Sequence, residues 1–185
     1  MVAAQMVTKT IDDLAAWVES EIAPHLNYLV PPSDGAVDGI EIERAHPSVF
    51  KLFVPSAERL PEGANNAPSI AVRFLNGLDT LNDFSREISV QLVLTIWSPG
   101  HFEDGKFVRS MEGWRSLFNG LGVIVSAVEG AETIAGSTVD MKQGVSFGLY
   151  EIEKEIPDLY PYWMGTVEFK LVKAPHSNKR FKHLL

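Results

Sequence analysis

The 185-residue chain contains no cysteine, which excludes a disulfide framework, a thiolate nucleophile and any Cys-based zinc or iron–sulfur site. The fold must stand on packing alone. No stretch approaches about 18 consecutive apolar residues, and the opening "MVAAQMVTKT" lacks the basic start and apolar block of a secretory signal. A soluble, cytoplasmic protein without a membrane partner is therefore expected. Basic residues are few, 16 against 24 acidic ones for a formal charge of −8. That balance opposes broad affinity for nucleic acid, whose phosphates need clustered cations. Neither a GxxxxGK nor a GxGxxG phosphate loop is present, and no internal repeat is visible.

The composition is that of a packed globular protein, with 45% hydrophobic and 22% charged residues. Its length suits one domain of about 100–200 residues. Charge is unevenly spread: Lys173, Lys179, Arg180 and Lys182 stand without an acid from residue 173 onward. The first 172 residues thus hold 16 − 4 = 12 basic against 24 acidic side chains, or −12. We read a single domain over 1–175 followed by a basic tail, 176–185.

Periodicity predicts a first helix over 10–23, where Ile11, Leu14, Trp17, Val18 and Ile22 recur at helical spacing, Thr10 caps, and Asp12 and Asp13 occupy the first turn. Short β-rich runs follow at 48–54 and 69–75, joined by an exposed proline-rich loop at 55–68. The clearest strand is "REISVQLVLTIW" (86–97), apolar at every second position from Ile88 to Ile96. It should be long and central. An apolar stripe from Phe107 through Met111, Trp114, Phe118, Leu121, Val125 and Val128 predicts a second helix lying across a sheet. Gly113, Gly120 and Gly122 each weaken that helix by roughly 1 kcal/mol relative to Ala. Residues 137–156 read as one or two strands with a Gly break, and 165–172 as a last one. The order predicts an α+β fold: a mostly antiparallel twisted sheet with two main helices packed on one face.

A search for chemistry assigns no catalytic residue, no metal site and no cofactor. His25, His46, His101, His176 and His183 are scattered without local pairing; His101, after the long strand, is the one to inspect first. "GVSFG" (144–148) fits the letters of a nucleophile elbow around Ser146. An elbow needs a helix next, and a β-like run follows instead, which favours a Gly-flanked bend. Glu151, Glu153 and Glu155 alternate with apolar residues and Lys154; on one strand face they suit a solvated edge or a subunit contact better than acid–base work.

The stretch "EIPDLYPYWMGTVEFKL" (155–171) gathers Tyr160, Tyr162 and Trp163 between prolines and a strand. Three roles compete for it: core burial of Trp163, a protein interface, or a small-molecule pocket. Pro157 and Pro161 stiffen the approach and remove amide donors. Tyr160, Tyr162, Trp163, the three glutamates and the tail cations Lys179, Arg180 and Lys182 are the candidate interface residues.

The order of elements over 10–173 resembles that of the tail terminator, or tail-completion, proteins of long-tailed phages and related contractile particles. The resemblance is carried by the N-terminal helix, "LTIWSPG", "WRSLFNGL" and "PDLYPYWMGTVEFKL". It implies a structural protein without enzymatic activity, forming a homo-oligomeric, hexameric ring on the last ring of tail-tube protein. The ring ends tube growth and presents a docking surface to the head connector or neck protein. Within a virion assembled in the host cytoplasm, DNA would pass its lumen without specific binding, and an acidic wall suits that passage. The loop at 55–68 and the basic tail have no counterpart in the pattern. A head–tail joining protein, and a small α+β enzyme or ligand-binding protein, are the alternatives.

Overall fold

The structure, a computed structural model, describes residues 2–32, 42–80, 85–104 and 106–173. Helix α1 (Val2–Trp17) runs on through a π turn (Val18–Ile22) and a 3-10 turn (Ala23–His25). A short ribbon then pairs β1 (Tyr28–Leu29) with β2 (Arg44–Ala45), and β3 (Ser48–Lys51), β4 (Ser69–Thr80) and β5 (Ser85–Trp97) follow. The hairpin of β6 (Gly100–Glu103) and β7 (Lys106–Arg109) precedes α2 (Gly113–Gly130). Then come β8 (Thr133–Ile134), β9 (Ser137–Val139), β10 (Ser146–Leu149) and β11 (Tyr162–Lys173).

Seven strands build one sheet in the order β3-β4-β5-β11-β9-β8, with β10 also pairing β11. Every pair is antiparallel except β3 with β4. The architecture is α+β, as the pattern of elements predicts. The alternation in β5 turns Ile88, Val90, Leu92, Leu94 and Ile96 to one face, each at most 1% exposed. Register places Leu92 between Val72 of β4 and Val167 of β11. The facing layer is Ile11, Leu14, Val18 and Ile22 from the first helix and Leu117, Leu121, Ile124 and Val128 from the second. Full burial of such a side chain stabilises by about 1.5–3 kcal/mol. This interface between helices and sheet forms the hydrophobic core.

Several expectations are corrected. The first helix begins at Val2, so Thr10 is a buried interior residue and not a cap. Asp12 and Asp13 serve ion pairs with Lys51 and Lys9, both at 2.6 Å, and not a helix end. The second helix starts at Gly113, and Phe107 belongs to β7. Its buried face is Leu117, Leu121, Ile124 and Val128; Leu121 and Val128 belong to the predicted stripe, but Leu117 and Ile124 take the places expected for Phe118 and Val125, which leaves Met111, Trp114 and Phe118 exposed at 59%, 40% and 37%. Apolar residues stand side by side at 117–118 and 123–125, so two spirals were available, and the sheet takes the aliphatic one. The one or two strands expected at 137–156 are β9 and β10, followed by a tight turn between Ile152 and Glu155. The tail 176–185 lies outside the described residues.

Candidate functional site

The site grows from the start of β11, where Tyr162 pairs with Trp97 and Trp163 with Ile96. Successive strand residues point to opposite faces, so the aromatic pair divides. Tyr162 turns to the face without helices, while Trp163 packs against the core beneath α2. The Trp163 indole Nε1 donates to the Ser98 carbonyl at 3.2 Å. A Cβ on Gly113 would fall 2.6 Å from its Cδ1, so only glycine lets the first turn of α2 lie on the ring. Tyr160 is anchored on the same segment, its hydroxyl donating to the Pro99 carbonyl at 2.6 Å. Its neighbour Pro161, after a cis peptide bond, accepts from the Ser98 amide at 2.9 Å. The sequence stretch that brings three aromatic residues together therefore ties the end of β5 to the start of β11.

Around this knot runs an apolar groove of about 270 Å³, lined by Met111, Leu149, Ile156, Leu159, Trp163 and Met164 among others. Met111 and Ile156 are 59% and 62% exposed. Trp114 and Phe118 stand beyond it on α2 in an edge-to-face pair with centroids 6.4 Å apart. Arg115 lies over the Trp114 ring at 4.6 Å and is ion-paired with Glu112. Phe147 on β10 and Ile152 are exposed as well, at 55% and 51%.

The three glutamates do not share a strand face. The ladder of β10 with β11 ends at the bond from the Tyr150 amide to the Met164 carbonyl, 3.0 Å. Beyond it the chain closes on itself: Ile152 and Glu155 exchange backbone hydrogen bonds of 2.9 Å. Glu153 and Lys154 between them take positive φ of 53° and 70°, the paired left-handed conformation of a type I′ turn. Alternation along the sequence reports period two but cannot supply a partner strand, and among the described residues none is paired there. Glu151, Glu153 and Glu155 are exposed around this turn, which leads into the groove at Ile156; Asp158 lines the groove, while Glu151 lines a second cleft with Gln91 and Glu168. Lys179, Arg180 and Lys182 lie outside the described residues.

On the opposite sheet face a polar row was missed by sequence reasoning. Arg73 donates from Nε to the Leu52 carbonyl at 3.2 Å and from Nη1 to the Tyr150 hydroxyl at 3.4 Å, and its guanidinium lies 5.4 Å over the Tyr150 ring. Gln91 donates to Glu168 at 2.6 Å. Beside them an open cleft of about 300 Å³ includes Ser146, Thr166 and Glu168. Gln91 is visible on the polar face of its strand, but its partners come from register between strands far apart in sequence.

The remaining candidates stay apart. Ser146 sits in β10 opposite Glu168 with no helix behind it. His101 lies exposed in β6, its Nε2 4.0 Å from Glu103. Among the described residues no three His, Asp or Glu side chains stand together as metal ligands. Tyr28, packed against α2, has its hydroxyl pKa pushed up to about 12 by burial. No protein-family model matches the chain, nor does any curated protein sequence.

Proposed function

We propose that this chain is a structural virion protein whose copies form a ring on the end of a phage tail tube, ending its polymerisation and offering a surface to the head connector. Support comes from the α+β subunit and above all from the apolar groove, where Met111 and Ile156 are exposed, and from the exposed Trp114–Phe118 pair on α2. Apolar surface of this kind is expensive to leave in water and marks contact with other protein. The knot of Tyr160, Pro161 and Trp163 holds the groove rigid, which lowers the ordering cost of a contact. The −12 charge of residues 1–172 suits a lumen that passes DNA without holding it.

The test is co-assembly. Purified chain added to polymerising tail-tube protein should shorten the tubes and appear as a ring at one end in electron micrographs. A chain that stays monomeric and leaves tube length unchanged refutes the proposal. Sedimentation with connector-bearing heads but not with tubes would move it to the head–tail joint.

A further inference from the structure

The groove beside the Tyr160–Trp163 knot has a chemistry that identifies its occupant. Its floor and walls are aliphatic and aromatic, with Met111, Ile156 and Leu159 exposed. Its approach is acidic: Asp158 lines the groove, and residues 151–158, which lead into it at Ile156, contain Glu151, Glu153, Glu155 and Asp158 against Lys154 alone, a charge of −3. Among the described residues none of these four carboxylates is ion-paired. A matching ligand is a short segment that is both basic and apolar. One stretch of the chain has that composition, residues 174–185, "APHSNKRFKHLL", with Lys179, Arg180 and Lys182, no acid, and Phe181, Leu184 and Leu185 as apolar anchors. Its charge of +3 offsets that of the approach.

Geometry decides which copy supplies it. β11 starts at the groove and runs away from it to Lys173. Ten residue steps from Trp163 at about 3.3 Å each put Lys173 about 33 Å from the groove. From Lys173, Lys179 lies at most about 22 Å and Lys182 at most about 32 Å along a fully stretched chain. Doubling back, Lys179 falls short of its own groove, and Lys182 comes level with it only with the chain fully stretched. A neighbouring copy has no such limit.

We propose that residues 174–185 of one copy dock in this groove of a second copy, Phe181 entering between Met111 and Ile156 while the cations meet Asp158 and the neighbouring Glu153 and Glu155. The contact is heterologous, since donor and acceptor surfaces differ, so repeated use closes a ring or extends a chain. Opposite charges on exposed segments accelerate encounter and make the association weaken with salt. This inference deepens the proposed function in one respect, how copies join, and does not depend on what the assembly caps.

Two full-length variants and their mixture test it by light scattering. Phe181→Asp spoils the tail and Ile156→Asp spoils the groove at an exposed position. The parent should associate to a multiple of 20.4 kDa. Each variant alone should bind itself at least about tenfold more weakly. Mixed one to one, the intact groove of the first and the intact tail of the second should restore a dimer. Circular dichroism of each variant separates lost binding from lost folding; should Ile156→Asp unfold, Glu153→Lys with Glu155→Lys replaces it. A monomeric parent, variants that associate like the parent, or folded variants that fail to complement, as docking within one copy or on another protein would give, each overturn the proposal. Loss of tube capping with self-association intact would instead count against the proposed function alone.

Discussion

Replacing Gly120 or Gly122 by Ala should move stability in opposite directions, although the two positions are nearly adjacent in α2. In a helix interior Gly is about 0.8–1 kcal/mol worse than Ala, so both substitutions gain on propensity. At Gly122 a Cβ meets nothing within 4 Å, and the gain should appear almost whole, about 1 kcal/mol. At Gly120 the Cβ would lie 2.7 Å from Leu94 Cδ2 and against the Tyr28 hydroxyl. Overpacking of this kind costs about 1–3 kcal/mol, which outweighs the helical gain, so Gly120→Ala should lose up to about 2 kcal/mol. The variants should differ by the overpacking cost, about 1–3 kcal/mol. For a chain of this size about 1 kcal/mol corresponds to about 2–4 °C in Tm, so their thermal midpoints, followed by circular dichroism, should separate by about 2–12 °C. Equal shifts of the same sign would show that α2 does not sit on Tyr28 and Leu94 as described.

Three further outcomes follow from other contacts. Trp163→Ala empties packing against the core and orphans the Ser98 carbonyl; a loss of about 2–4 kcal/mol in urea unfolding is expected, and an unchanged midpoint with lost assembly would make Trp163 an interface residue only. Tyr28 has a folded pKa near 12 against 10.0 unfolded, so its contribution is fully present below pH 10 and is lost as pH rises from 10 to 12. Tyr28→Phe should therefore lose less stability over that window than the parent, and parallel alkaline unfolding curves would count against it. Arg73→Ala removes the donor to the Leu52 carbonyl and the cation over Tyr150; a cost of about 1–2 kcal/mol is expected, and Arg73→Lys, without the planar fork, should recover only part of it.

Legibility in the sequence followed the range of the interactions involved. β5 was legible almost to the residue because a strand buried on one face writes its pleat as alternation. The early start of α1 and the phase of α2 were not, since Thr10 resembles a cap and neighbouring apolar residues offer two spirals. Only the sheet beneath could choose. At the site, the crowding of Tyr160, Tyr162 and Trp163 was plain, but their division between two faces needed the register Tyr162–Trp97. The glutamates were misplaced because alternation says nothing of whether a partner strand exists. Arg73, Gln91, Tyr150 and Glu168 were invisible as a group, being drawn together from positions up to 95 residues apart.

β11 emerges in synthesis after every other described strand, yet it occupies the middle of the sheet, pairing with β5 along its whole length. Translation order and assembly order thus conflict. Until Tyr162–Lys173 is released, the long flank of β5 presents unsatisfied amides and carbonyls, a template for foreign strands. Such late, long-distance closure also slows folding. A message truncated before codon 162 should yield aggregate in place of a smaller domain, and the nascent chain has reason to meet a chaperone while it waits for β11.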